Sequence, residues 1–186
     1  MKYMQDGGFQ SHPLMRATIG LTLVLLLGFW VTNFALYFSR MGLTASSVVA
    51  YYNGSEEDFR AARSAASMLE TTHAHLPMMG MVLLFLTHLA LFAPIPRAAK
   101  IGFVATAFVS AMLDEGAGWL VRFASPAFAP LKIVGFVGLQ AAIGFLLLVL
   151  ALFLLGAARR QAALRESEDP AAVEPLAEAR AARARD

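Results

Sequence analysis

Four apolar runs occupy most of the chain, each long enough to cross about 30 Å of hydrocarbon at about 1.5 Å per helical residue. The first runs from about Leu14 to Ser39, opens after Ser11-His12-Pro13 and closes on Phe34, Tyr37 and Phe38. Such aromatic residues suit a membrane–water boundary. The second, about His73 to Phe92, is interrupted early by Pro77 and ends at Ala93-Pro94-Ile95-Pro96. Those prolines and the short break predict a tight hairpin into the third run, about Lys100 to Phe123. Ser125-Pro126 and Pro130 lead into the fourth, about Leu131 to Ala157, which stops at Arg159 and Arg160. The pattern predicts an all-α fold, an up-and-down four-helix transmembrane bundle over 14–157, preceded by an N-terminal segment 1–13.

The polar stretch 40–72 is predicted to be an external loop. Asn53-Gly54 reads as a turn, and Ser55-Glu56-Glu57-Asp58 as the start of a short helix, so two short helices are expected there. The tail 158–186, rich in Ala, Glu and Arg, has little apolar surface to bury and reads as frayed helix or disorder. The run after Arg16 is too long for the apolar region of a signal peptide and has no small-residue cleavage site.

Composition supports a lipid solvent. The chain is 58% hydrophobic and 15% charged, against about 45–50% and about 25% in soluble domains. The formal charge is only +2, with basic residues at the ends of apolar runs, which argues for a membrane protein and against nucleic acid as a partner. Lys2, Arg16, Arg97, Lys100, Arg159, Arg160 and Arg165 would share one side; Arg40, Arg60, Arg63, Arg122 and Lys132 the other. The bias predicts a bacterial inner-membrane protein with both termini cytoplasmic. There are no cysteines, which excludes disulfides and thiolate-held metals or clusters.

Ionisable groups inside hydrocarbon are costly, and each is a candidate for function. His73, His75 and His88 fall within the second run. On an ideal helix His73 and His88 are about 60° apart around the axis and about 22 Å apart along it. That face and spacing suit haem ligation near the two membrane surfaces. His12, at the inner end of the first run, is the fourth histidine and could pair with His88 on one b-type haem. The outer site would need Met, water or a second copy of the chain. The structural alternative is that His73 and His75 sit at the interface while His88 hydrogen-bonds a neighbouring helix.

Asp114, in the third run, lies about 12 Å inward from Arg122, which puts it and Glu115 in the outer half of the membrane. Arg122 is too far along the helix for a direct pair, so the fold must bring another partner. Asn33 belongs to the same half and Gln140 lies near mid-depth. With His73 and His75 these carboxylates could bind a quinone head group, relay protons or hold a divalent metal. The alternative is an interhelical hydrogen-bonded cluster that orders the bundle. Gly116, Gly118, Gly135, Gly138 and Gly144 suit close helix approach.

Through Glu70-Thr-Thr-His73-Ala-His75-Leu76, Thr87-His88-Leu89, and Gly118-Trp119-Leu-Val-Arg122-Phe-Ala-Ser-Pro126-Ala-Phe-Ala, the chain resembles a group of small bacterial four-helix inner-membrane proteins over most of residues 15–155. A wider likeness, to four-helix transmembrane b-type cytochromes, rests on the helix count and the His73/His88 spacing. The first reading is therefore a b-type haem protein in electron transfer, using His88 and His12 inside and His73 or His75 outside, with a quinone or redox protein as partner. Against it stand a non-enzymatic membrane subunit or scaffold, and a metal or proton site built from His73, His75, Asp114 and Glu115.

Overall fold

In the computed structural model, which describes residues 12–168, the chain is helical in the order α1 (Pro13–Phe38), α2 (Ala45–Asn53), α3 (Ala65–Ala90), α4 (Arg97–Phe123) and α5 (Ala129–Glu168). A single 3-10 turn, Pro126–Phe128, links α4 to α5. Four of these helices are long and apolar enough to cross a membrane. The described chain is an all-α, multi-pass membrane protein.

It divides into two compact units, one of Thr22–Leu150 and one of segments 12–21 with 151–168. In the second unit Arg16 Nη1 donates to Gln161 Oε1, tying the first turn of α1 to the C-terminal part of α5.

Within 22–150 the pairing is antiparallel throughout. Phe103 stacks on Phe145 at 3.6 Å, Ser110 lies against Gly138, and the Asp114 backbone against Gly135, so α4 and α5 run in opposite senses. Thr72 meets Glu115 near one end of α3 and α4, while Lys100 Nζ caps the Leu91 carbonyl at the other. Trp30 lies against Gly144, and Phe34 and Tyr37 against Phe136 at 5.7 and 3.7 Å, which runs α1 against α5. Apolar helices have no hydrophobic reason to associate in lipid, so these contacts depend on dispersion and polar glue. Small residues supply the room.

The loop between α1 and α3 differs from expectation in three ways. It holds one short helix, α2, capped by Thr44 at its start. Gly54, at φ 89°, then turns the chain, and Ser55 and Arg60 exchange backbone hydrogen bonds at 2.9 Å in each direction. Ser55-Glu56-Glu57-Asp58 therefore forms a hairpin-like turn, because the left-handed turn aims the chain back on itself. Finally, α3 starts at Ala65, where Ser64 caps the Ser67 amide, eight residues ahead of the apolar run. Polar residues of that first stretch remain helical because capping satisfies their amides. Pro77 leaves α3 unbroken, and α5 continues past Ala157 to Glu168. The tail expectation for 169–186 lies outside the described residues.

The buried cluster at the loop end consists of Tyr37, Met41, Val48, Tyr52, Met68, Val121, Ala129 and Phe136. It fastens α2 across the ends of the spanning helices.

Candidate functional site

Next to that cluster the helices part around a cavity of about 160 Å³. Its walls come from α1 (Asn33, Tyr37), α2 (Tyr52), α3 (Thr72, His75), α4 (Asp114, Glu115, Trp119) and α5 (Lys132, Gln140). Leu36, His75 and Met78 are exposed residues of α1 and α3 that also line it, so the gap between those helices is its open side. The volume is close to that of an engineered cavity that accepts one benzene ring, about 150 Å³.

One wall is a hydrogen-bonded series. Trp119 Nε1 donates to Thr72 Oγ1 at 2.9 Å, and that hydroxyl donates in turn to Glu115 Oε1. The other oxygen, Oε2, stands 3.4 Å from His75 Nδ1. Thr72 can serve both neighbours because a hydroxyl accepts and donates at once. Glu115 is 13% exposed and His75 48%, so the imidazole connects an enclosed carboxylate to the outside. His75 Nδ1 turns to Glu115 from an otherwise exposed ring.

Asp114, its neighbour, turns to α5. Lys132 Nζ donates to Asp114 Oδ1 at 2.7 Å and to its carbonyl at 2.8 Å, and both side chains are largely enclosed. The close approach at Gly135, beside the Asp114 backbone, brings the two helices near enough for this reach. Tyr52 lies over Gly118, where a Cβ would stand 2.6 Å from the phenol oxygen. Burial raises the Tyr52 pKa; the Lys132 charge opposes this and Asp114 adds to it. The phenol stays protonated as a donor.

Two polar atoms are left unmatched in the cavity wall. Gln140 is 4% exposed and its Oε1 is buried without a hydrogen-bond partner among the described residues, as is Arg63 Nε. Trp30 Nε1 fixes the Gln140 backbone through its carbonyl at 2.9 Å. An unsatisfied buried polar group costs about 1–3 kcal/mol, a cost that a ligand carrying its own polar atoms can relieve.

The structure thus brings together His75, Glu115 and Asp114 of the expected residues, along with Asn33 and Gln140. His73 is exposed on α3 and lines no part of the cavity. His88 is exposed further along α3, edge-on to Phe92. His12 is exposed just before α1, and its carbonyl accepts the Arg16 amide at 3.0 Å. A haem held by His73 or His88 would lie on the outside of the helices, and a cavity sized for one ring does not fit a porphyrin. Among the described residues no three His, Asp or Glu side chains gather as a metal site. Thr72, Trp119, Tyr52 and Lys132 were missed by sequence reasoning. Lys132, a lone cation just inside an apolar run, was the available signal.

Searches of curated proteins and of solved structures return no match. Residues 42–161 match the family model described as a transmembrane helical domain, and the chain belongs to that family.

Proposed function

We propose that this is a bacterial inner-membrane protein, with both termini cytoplasmic, whose cavity binds the single-ring head group of a lipophilic quinone beside the Glu115–His75 couple. The observation that carries the reading is the enclosed Glu115 carboxylate, joined to half-exposed His75 and facing a ring-sized cavity with an unmatched Gln140 oxygen. Entry between α1 and α3 suits a ligand dissolved in lipid. Gln140 and Asn33 would orient the ring's oxygens, and Lys132–Asp114 would hold the field around them fixed. The orientation rests on the charge bias of the short connections.

The test is quenching of Trp119 fluorescence in nanodiscs by a short-tailed ubiquinone analogue, with Trp30→Phe as background. Saturable quenching that weakens at least tenfold in Gln140→Leu, and becomes independent of pH in Glu115→Gln, supports the reading. Quenching that rises linearly with quinone in both forms sinks it.

The rival, a transmembrane b-type haem protein in electron transfer, draws on the His73/His88 spacing and would need a second protein to cover an exposed haem. A reduced-minus-oxidised spectrum with a b-type α-band lost in His88→Ala would favour it over the quinone pocket.

A further inference from the structure

Two arginines line the cavity, and each is touched by another. Arg60 Nη1 donates to the Arg40 carbonyl at 3.3 Å, and Arg122 Nε to the Arg63 carbonyl at 2.8 Å. Arg40 and Arg63, both in the loop between α1 and α3, line the same cavity and make that corner basic. None of the four guanidinium groups is paired with a carboxylate among the described residues, although Glu56, Glu57 and Asp58 stand in the same loop. Guanidinium groups that line a cavity without a carboxylate partner are open to an anion.

Arg63 is built to meet one. Its amide donates to the Tyr52 carbonyl at 2.9 Å, its guanidinium lies 5.4 Å over the Tyr51 ring, and its Nε is buried without a partner. The side chain is thereby held before any ligand arrives, and a planar guanidinium suits phosphate oxygens better than an ammonium does. Depth selects the source of that phosphate. Arg40 follows the end of α1, Arg63 precedes α3, and Arg122 is in the last turn of α4, which sets all three at the edge of the hydrocarbon. Deeper along the same gap, exposed Leu36 and Met78 offer an apolar track.

We infer that this corner is a phosphate-binding site for an anionic phospholipid, whose head group sits across the cavity mouth while one acyl chain lies along Leu36 and Met78. The inference stands whether or not a quinone occupies the depth, since none of the four arginines is assigned to that head group.

The experiment is native mass spectrometry of the full chain in detergent, titrated with dioleoyl-phosphatidylglycerol and, separately, with inorganic phosphate as competitor. Wild type is expected to keep one phosphatidylglycerol that millimolar phosphate does not displace. Arg40→Gln, a change at an exposed side chain, and Arg63→Gln should each weaken it about fivefold, while Arg97→Gln at the other end of α4 leaves it unchanged. Arg63→Lys, which keeps charge but loses the fork, should fall between. Equal retention by all variants overturns the site, and so does absence of a retained lipid. Displacement by free phosphate at low concentration overturns the lipid assignment in favour of a soluble oxyanion.

Discussion

Replacing Gly135 by alanine tests the close approach on which the site depends. An ideal Cβ there would stand 2.5 Å from the Asp114 backbone nitrogen, 2.8 Å from its Cα and 2.9 Å from the Leu113 carbonyl carbon. Ordinary contact begins at about 3.5 Å, so α4 and α5 must part by about 1 Å, and no side-chain rotation relieves a clash with backbone. Overpacking of this kind costs about 1–3 kcal/mol. The same displacement stretches both Lys132–Asp114 hydrogen bonds, which pass beside the contact. Gly116→Ala is the matched control, because it too places alanine in a spanning helix but meets nothing within 4 Å. Helix propensity favours alanine by about 1 kcal/mol in both and cancels in the comparison. Gly135→Ala is therefore expected to be less stable than Gly116→Ala by about 1–3 kcal/mol, measured as denaturant unfolding in bicelles followed by circular dichroism. Equal stability of the two variants would refute the tight α4–α5 packing.

Three further outcomes follow from the same geometry. Lys132→Met leaves Asp114 enclosed without its partner and should destabilise by about 3–5 kcal/mol, whereas adding Asp114→Leu should recover most of the loss in the same unfolding assay. Thr72→Val removes both the acceptor for Trp119 Nε1 and the donor to Glu115; the Trp119 emission maximum should shift, while the variant Thr18→Val, on an exposed α1 position, should leave it unchanged. Tyr52 has a pKa raised chiefly by burial, so the unfolded chain ionises first. Its contribution to stability is present below about pH 10 and is lost as pH rises beyond it, and Tyr52→Phe should flatten that fall in a pH series of thermal melts.

The order of elements was legible in the sequence because the bilayer imposes one rule: a span must be apolar and must satisfy its own backbone. Four long runs with proline or arginine at their ends therefore fix four helices, and Pro94 and Pro96 fix the turn between α3 and α4. Helix ends were less legible. The segment from Ala65 to Thr72 mixes polar with apolar residues, and its start is set by the Ser64 cap, a local hydrogen bond that hydropathy does not register. Small residues were correctly read as points of close approach at Gly118, Gly135, Gly138 and Gly144, but Gly116 faces open space.

What the sequence alone determined was the solvent, the fold class and the short list of residues whose burial in lipid demands a partner. Which partner each one takes was decided by tertiary structure. Asp114 and Glu115 are adjacent in the chain, yet a step of about 100° around α4 sends one to Lys132 on α5 and the other to Thr72 and His75 on α3. His73 and His75 are two residues apart and separate for the same reason, only the second lining the cavity. Helical spacing gives the direction in which each side chain leaves its own axis; what stands opposite depends on the register and distance between helices, and these are set by packing at a few glycines and aromatic rings that no single helix contains.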